Sequence, residues 1–281
     1  MSPEPTPPTA VECHILDTGH CLAHEAMMLR GGRLTSVECH ALVALIRHPT
    51  HGWGLWDAGY APRMLAETAR WPFWLYRRAT PLRLRPELAA AVQLGRFGLR
   101  PADIGWIVLS HLHADHVAGL RDFPQARLIL SAESYAAVRG LDGWRALRRA
   151  FIPRLLPDDF AARASLLPEF TGPALGALGP THDIWGDGSL RLVALPGHAR
   201  GQVGMLVETA ERRILLAADG AWLSRAIREQ RGPHPLTAIF TDDRRAVLAT
   251  LRKLHAFAGQ HPEVTIIPTH CPEAYSREVG R

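Results

Sequence analysis

A short segment rich in histidine, residues 110–116, most constrains how this chain can fold. It reads Ser-His-Leu-His-Ala-Asp-His and directly follows the apolar residues 107–109, which predict the end of a buried strand. The carboxyl ends of strands in α/β proteins open onto a crevice. A lone histidine is most often a surface or hydrogen-bonded residue. Three imidazoles and a carboxylate within six residues, however, indicate a metal site at which the chain turns tightly.

Three further polar side chains follow other predicted strands. His198 ends the segment Leu-Pro-Gly-His, His270 ends Ile-Pro-Thr-His, and Asp219 lies in Leu-Ala-Ala-Asp-Gly, where its carboxylate is placed to bridge two cations. Imidazole and carboxylate suit zinc, iron, cobalt or manganese, and residue types alone leave that choice open. These segments carry no cysteine, the more usual ligand of a structural zinc.

Short apolar segments alternate with helical patterns, which predicts an α/β fold. The predicted strands are Ala41–Arg47, Trp53–Trp56, Ile104–Leu109, Arg127–Leu130, Leu190–Leu195, Ile214–Ala217 and Val264–Ile267. The predicted helices are Pro86–Phe97, Ala132–Arg139 and Asp242–Ala258.

The length of 281 residues allows one large domain or two small ones. We expect a single domain over residues 11–281, preceded by a flexible, proline-rich segment over residues 1–10. Two stretches, residues 62–85 and 150–188, fit the strand and helix rhythm poorly. They are expected to be insertions, acting either as lids and binding loops or as surface segments without a role.

The formal net charge of +5 comes almost entirely from arginine, because Lys253 is the only lysine. The arginines are spread along the chain, which disfavours nucleic acid as a partner. The four cysteines show no CxxC spacing, and no run of 18 apolar residues occurs. We therefore expect a cytoplasmic protein without a membrane partner.

The motifs HxHxDH, PGH, AADG and PTH together resemble those of the metallo-β-lactamase superfamily. The likeness spans about Cys39 to His270 and includes Trp-Asp-Ala-Gly at residues 56–59. It implies a four-layer αββα sandwich, with the site along one edge of two facing sheets. Asp57 would orient the motif loop by hydrogen bonding.

The resemblance implies two divalent metal ions, with zinc expected and iron, cobalt or manganese as alternatives. One ion would be bound by His111, His113 and His198, the other by Asp115, His116 and His270, and both by Asp219. Two such ions can share a water and lower its pKa from 15.7 towards ~7, so that hydroxide attacks the substrate. Asp115 is the expected catalytic residue, as a proton shuttle to the leaving group.

Within the superfamily, the chain is most similar to the N-acyl-homoserine lactone lactonases, which act in quorum quenching. The segments that carry this likeness are SHLHADHVAGL, LPGHARGQVG and LAADGAW. The implied activity is hydrolysis of a lactone or carboxylic ester of a small molecule. A glyoxalase-type thioesterase and a phosphodiesterase remain alternatives on the same metal set. A non-catalytic metal-binding protein is disfavoured because all seven ligands are present.

Four residues are expected to contact the substrate. Trp222 stands where these lactonases commonly have tyrosine, and its indole can donate a hydrogen bond but cannot accept one. Ala114 replaces a bulkier aromatic residue. Phe151 and Phe160 either line an apolar pocket or pack their insertion onto the sandwich.

The insertion over residues 62–85 supplies further aromatic candidates for a pocket wall. They are Trp71, Phe73, Trp74 and Tyr76. The resemblance is compatible with a homodimer, and Arg70–Tyr76 is the segment expected to form its contact.

Overall fold

The computed structural model describes residues 8–280, without the side chains of residues 239 and 240, and its strands form two mixed sheets. The strands are β1 (Glu12–His24), β2 (Ser36–His48), β3 (Gly52–Trp56), β4 (Leu82–Arg83), β5 (Ile104–Val108), β6 (Arg127–Ser131), β7 (Ala164–Leu167), β8 (Thr181–Asp183), β9 (Leu190–Ala194), β10 (Val203–Glu208), β11 (Arg213–Ala218) and β12 (Val264–Pro268). One sheet has the order β4-β1-β2-β3-β5-β6-β7, and the other has the order β12-β11-β10-β9-β8.

Among the named strands of the described residues, parallel pairing occurs in two places, which both bear on the site. Strands β3, β5, β6 and β7 are parallel neighbours in the first sheet, and β11 and β12 are parallel in the second. The carboxyl ends of parallel strands lie at the same edge of a sheet, and segments that follow them meet there. The segments after β5, β11 and β12 carry six of the seven predicted metal ligands, and His198 follows β9.

Helices cover the outer faces of the sheets and are mostly short. They are α1 (Glu25–Met28), α2 (Arg63–Glu67), α3 (Trp74–Ala79), α4 (Ala90–Gln93), α5 (Ala114–Val117), α6 (Ala132–Val138), α7 (Gly143–Leu147), α8 (Phe160–Arg163), α9 (Ser224–Glu229), α10 (Arg244–Gln260) and α11 (Pro272–Glu278). The longest, α10, begins at Asp243, whose carboxylate accepts hydrogen bonds from the backbone N–H groups of residues 245 and 246. It buries Val247, Leu251, Leu254 and Phe257, which share one face of the helix.

Alternate residues of the strands point into two hydrophobic clusters. In β2, Leu42, Ala44 and Ile46 pack in the cluster between the sheets, whereas Val43 and Leu45 join the cluster beneath the helices. This period of two is the geometry of a pleated strand covered on both faces. The αββα sandwich expected from the sequence is therefore confirmed.

One predicted helix was wrong, and one long strand was missed. Residues 86–97 do not form one helix but a 3-10 turn over Pro86–Leu88, α4, and a second 3-10 turn over Leu94–Phe97. The break lies at Ala89, whose ψ of 135° is extended. The long strand β1 was missed because its sequence is rich in polar residues, and its pairing with β2 overrides that weak local signal.

The segment over residues 150–188 was predicted to be an insertion, yet it contributes a strand to each sheet. Strand β7 pairs with β6 at the edge of the first sheet, and β8 pairs with β9 at the edge of the second. Segment 62–85 contains α2, α3 and the short strand β4. Residues 1–7 of the predicted flexible N-terminus lie outside the described residues, while the N–H of Thr9 donates to the carbonyl of Asp187 at 3.1 Å. Among residues 8–280, no helix is both long and apolar enough to cross a membrane.

Candidate metal centre

The histidine-rich segment links β5 to α5 at the edge of the first sheet. His111 and His113 lie in the irregular residues between the two elements, and Asp115 and His116 lie on α5. The carbonyl of His116 accepts hydrogen bonds from the N–H groups of Ala58 and Gly59 at 2.9 and 3.2 Å. These bonds tie α5 back to the turn after β3, so all four polar side chains are held at one end of the sheet.

Three other side chains reach the same place from the second sheet. His198 follows β9, Asp219 directly follows β11, and His270 follows β12. Gly197 precedes His198 with a φ of +126°, and a Cβ at this position would overlap the backbone of Val247 in α10. Only glycine satisfies both the backbone conformation and this close approach, which explains the glycine of the Pro-Gly-His motif.

The seven polar side chains form overlapping groups whose potential ligand atoms lie within 4.8 Å of one another. We call His111, His113 and His198 the first donor group, and Asp115, His116 and His270 the second donor group. A third combination, His111, His116 and Asp219, overlaps both and lies between them. The structure thus brings together every ligand predicted from the sequence.

Asp219 lies between the two donor groups. Its Oδ2 is 3.1 Å from Nε2 of His198 and also 3.1 Å from Nε2 of His270. Its Oδ1 is 3.4 Å from Nε2 of His116. One carboxylate therefore faces imidazoles of both groups, which is the arrangement that a bridging ligand requires.

Hydrogen bonds on the far side of the rings orient the imidazoles. Nδ1 of His116 lies 2.8 Å from Oδ2 of Asp57, and Nδ1 of His270 lies 2.6 Å from the carbonyl oxygen of His40. Asp57 is itself fixed by the N–H and hydroxyl of Ser110, at 2.8 and 2.7 Å. With Nδ1 donating to these acceptors, Nε2 of each ring faces the centre. The orienting role predicted for Asp57 is confirmed.

Buried polar atoms at the centre lack partners within the described part of the chain. One is Nε2 of His111, and two others are Nε2 of His116 and Oδ1 of Asp219, which lie 3.4 Å apart without forming a hydrogen bond. Such orphaned atoms are rare in folded proteins unless an ion or water satisfies them. Five imidazoles and two carboxylates are donors that divalent transition metals accept. The residues present therefore fit metal binding.

The imidazoles of the first donor group are held neutral. Burial lowers the pKa of His111 and of His113 well below the usual value, and the neighbouring imidazoles lower both further. Burial also lowers the pKa of His198. At neutral pH these three rings carry no proton that a metal ion would have to displace.

The second donor group has the opposite character. Burial lowers the pKa of His270, but Asp219 and Asp115 outweigh it and raise this pKa to about 9. The carboxylates of Asp57, Asp115 and Asp219 likewise outweigh burial at His116 and hold its pKa well above the usual value. Burial raises the pKa of Asp219, yet the surrounding histidines, His270 foremost, hold it well below its ordinary range.

A phenol also reaches the centre, from α3 in the segment over residues 62–85. The hydroxyl of Tyr76 is 3.4 Å from Oδ1 of Asp115. Burial, and to a smaller extent the nearby Asp115 carboxylate, hold the pKa of Tyr76 well above its usual value. The phenol is therefore a neutral donor. Sequence reasoning placed Tyr76 only among aromatic candidates for a pocket wall, because no local signal shows which acceptor a distant hydroxyl meets.

The residues expected to contact substrate lie in different surroundings. Trp222 lines a small cavity of about 20 Å³ beside His198 and Asp219, and its Nε1 donates to Oδ2 of Asp219 at 3.0 Å. Phe151 and Phe160 line a separate cleft of about 900 Å³. Ala114 is fully buried in the hydrophobic core and lines neither cavity.

Both insertions border this cleft and are hydrogen-bonded to the metal-centre helix. Trp71 and Phe73 contribute from one side, and Phe151 and Phe160 from the other. The N–H of Ala114 in α5 donates to the carbonyl of residue 150 at 2.9 Å, while α3 reaches α5 through the contact between Tyr76 and Asp115. The cleft walls are therefore held against the candidate metal centre.

Comparison with known proteins places this centre in a family. The model described as the metallo-beta-lactamase superfamily matches residues 37–270. The N-acyl homoserine lactonase AttM of Agrobacterium fabrum is 28% identical over 286 residues, covering 95% of this chain and 96% of that protein.

Solved structures share the fold at low sequence identity. An N-acyl homoserine lactone hydrolase with N-hexanoyl-L-homoserine bound at its catalytic metal centre has a TM-score of 0.73 at 17% identity, covering 95% of this chain and 96% of the other. AidC, described as a dizinc quorum-quenching lactonase, has a TM-score of 0.64 at 15% identity, covering 95% and 90%.

A metal-dependent hydrolase is the class that the fold, the donor set and the homologues define. The chain belongs to the metallo-β-lactamase superfamily, because the family model matches 37–270 of its 281 residues. The resemblance inferred from the four motifs is thereby confirmed.

Proposed function

We propose that this protein hydrolyses the ring ester of a lactone, or a related carboxylic ester, at a centre of two divalent metal ions. The observation that carries the proposal is the position of Asp219 between two complete donor groups. The similarity to N-acyl homoserine lactonase AttM over 95% of the chain supports acyl-homoserine lactones as the substrates to test first.

The proposed ligands of the two metal ions correspond to the two donor groups. One ion would be held by the first donor group, which is His111, His113 and His198. The other ion would be held by the second donor group, which is Asp115, His116 and His270. Asp219 would bind both ions. Zinc is the proposed metal, with iron, cobalt and manganese as the alternatives that the donors accept. Two divalent ions at such a site would lower the pKa of a water towards ~7 and would polarise a carbonyl oxygen.

Asp115 is the side chain placed to move the proton. Its carboxylate is 13% exposed, against 3% for Asp219, so it borders the open side of the centre. In the hydrolysis, a carbon–oxygen bond forms to the oxygen of water and the ring carbon–oxygen bond breaks. We propose that an Asp115 oxygen takes the proton of the attacking water and gives it to the departing alkoxide.

The cleft between the insertions suits the non-reacting part of such a substrate. Its walls combine aromatic rings, including Trp71, Phe73 and Phe151, with arginines such as Arg121 and Arg139. Binding sites for small molecules are mostly apolar, with a few polar anchors. We propose that an acyl chain lies along this cleft and that Trp222 contacts the lactone end.

Hydrolysis and metal content should be measured on the same preparation. The panel contains long- and short-chain homoserine lactones, simple γ- and δ-lactones, aryl esters, a thioester and a phosphodiester. We expect two metal equivalents and turnover of lactones. Two equivalents with turnover of only the thioester or the phosphodiester would retain the metal centre and replace the proposed substrate.

A histidine outside the centre provides the control for this measurement. His24 is exposed, and its side chain forms no cap hydrogen bond with α1. His24→Ala should keep both metal equivalents and full turnover. If wild-type protein binds fewer than two equivalents under metal-saturating conditions, the proposed centre is wrong whatever the substrate.

We also propose that residues 11–281 form one domain and that the protein is a homodimer. Three exposed tryptophans lie together: the ring of Trp71 is 6.3 Å from that of Trp74 and 5.3 Å from that of Trp144. Exposed apolar patches commonly mark protein interfaces. Light scattering of the wild-type protein should give twice the chain mass. The double variant Trp71→Ala with Trp144→Ala should give the single-chain mass. A wild-type monomer would contradict the proposed homodimer.

A further inference from the structure

Asp115 presents its two carboxylate oxygens to different surroundings. Oδ2 is 3.3 Å from Nε2 of His270 and 4.0 Å from Nε2 of His116, so it belongs to the second donor group. Oδ1 is turned away from those imidazoles and meets the hydroxyl of Tyr76 at 3.4 Å. A carboxylate rotates readily about its terminal torsion unless its oxygens are held.

Tyr76 is rigidly placed to hold the outer oxygen. Its side chain is buried in α3. Its backbone N–H donates to the carbonyl of Phe73 at 3.0 Å. Asp115 is the hydrogen-bond partner of the phenol within the described residues. The buried hydroxyl is therefore directed at Asp115 by the packing of the whole helix.

The other two carboxylates at the centre are held in the same manner. Ser110 donates to Asp57 from both its N–H and its hydroxyl, and the indole N–H of Trp222 donates to Oδ2 of Asp219. Each carboxylate thus accepts a hydrogen bond from one side chain that is not a proposed metal ligand. Such outer partners fix ligand orientation and often change metal affinity or activity by about 10- to 100-fold.

We propose that Tyr76 is a positioning residue that fixes the rotation of Asp115, so that Oδ2 faces His116 and His270. The inference rests on the proposed function, because it assumes that the second donor group binds a metal ion. It gives segment 62–85 a specific role at the centre. It also joins the cleft wall to the metal centre, because Phe73 lines the cleft three residues before Tyr76.

Tyr76→Phe tests the proposal because it removes the hydroxyl and retains the ring. The affinity of the second metal equivalent should fall by about 10-fold or more, as measured by competition with a chromophoric chelator, while the first equivalent keeps its affinity. Lactone turnover at saturating metal should lose kcat with little change in KM. Tyr76→His, which retains a ring and an N–H donor, should recover part of the lost affinity.

Thr80→Val is the matched control, since it removes a hydroxyl just after the same helix that bonds the backbone carbonyl of Tyr76 and does not contact Asp115. It should leave both metal affinities unchanged. Adding Tyr76→Phe to Asp115→Asn should lower the metal affinity little further than Asp115→Asn alone, because Tyr76 acts through Asp115.

The outcomes separate the two proposals. Wild-type protein without a second metal equivalent contradicts the proposed function itself. Wild-type protein with two equivalents, together with unchanged metal affinity in Tyr76→Phe, overturns the positioning role. A kcat loss in Tyr76→Phe with unchanged metal affinity also overturns it, and would assign the phenol to substrate contact instead. Equal losses in Thr80→Val and Tyr76→Phe would show that α3 packing, and not the hydroxyl, is responsible.

Discussion

The two donor groups both face Asp219, yet they differ in charge. In the first group, burial and the mutual proximity of imidazoles lower the pKa of His111, His113 and His198. In the second group, carboxylates raise the pKa of His270 to about 9 and that of His116 well above its usual value. Metal-free protein therefore has neutral rings on one side and protonated rings on the other.

The difference shows how a buried cluster of carboxylates is tolerated without metal. The protons of His116 and His270 supply the positive charge that Asp115 and Asp219 need, because an unpaired buried charge is costly. A metal ion entering the second group must displace those protons, whereas the first group offers free lone pairs. We therefore expect the first equivalent to bind more tightly and with less dependence on pH.

The shared carboxylate should produce the largest effect. Asp219→Ala removes the carboxylate that lies 3.1 Å from both His198 and His270, so the proposed ion at each donor group would lose a ligand atom. Metal content should fall below two equivalents, and turnover should fall to background. Retention of two equivalents with full activity would show that Asp219 does not bridge and that the donor groups act independently.

Asp57 sharpens the comparison because its carboxylate pairs with a ring nitrogen of the second donor group, His116, and with no ring of the first. Asp57→Asn weakens the acceptor for Nδ1 of His116, and asparagine tolerates the φ of +57° at this position. The affinity of the second metal equivalent should fall about 10- to 100-fold, as measured by chelator competition. The first equivalent should change less.

Asp187→Asn is the matched control for this substitution. Asp187 forms a similar pair with His48, 2.9 Å from its Nε2, outside the three donor combinations. It should leave both metal affinities unaltered. Equal losses at both metal sites in Asp57→Asn would indicate that Asp57 supports the whole loop rather than His116.

The charge difference predicts a pH dependence of metal-free stability. His270 has a pKa of about 9 in the folded state against 6.5 in the unfolded chain, so its contribution is fully present below pH 6.5 and is lost as pH rises through 9. This shift corresponds to about 3 kcal/mol at most. The histidines of the first donor group are neutral in the folded state, and in the unfolded chain they lose their protons as pH rises through 6.5, so the upper part of this window reports mainly on the second group.

Urea unfolding of chelator-treated protein at pH 6.5 and pH 9.5 measures this effect. Stability should be lower at the higher pH, and His270→Gln should reduce the difference. Metal-loaded protein should not show the same loss, because a metal ion would replace the proton. A metal-free stability that rises across this window would contradict the assignment of a protonated second group.

The smallest expected effect concerns Trp222. Trp222→Phe removes the indole N–H that donates to Oδ2 of Asp219 at 3.0 Å and retains an aromatic ring beside His198. A net hydrogen bond to a charged group contributes about 1.5–3 kcal/mol, which Asp219 partly retains through its histidine neighbours. Relative kcat/KM across lactones should change more than metal content. Identical kinetics on every lactone would remove Trp222 from the substrate site.

Much of the fold could be predicted because it depends on local patterns. Apolar strands such as β5 and β12 are continuous hydrophobic runs, and α10 has its apolar residues on one face. Strand β1 and the edge strands β7 and β8 could not be predicted in this way. Their residues are mixed in polarity, and pairing with a neighbouring strand, which no local pattern records, determines their conformation.

The sequence by itself determined the ligand types, because imidazoles and carboxylates recur immediately after buried strands in four separate motifs. It also determined the family, since those motifs occur in a fixed order. Tertiary structure alone decided which atoms meet. The carbonyl of His40 lies 230 residues from His270, and the hydroxyl of Tyr76 lies 39 residues from Asp115. Such contacts depend on how two sheets and a helix pack together, and chain separation carries no signal of that packing.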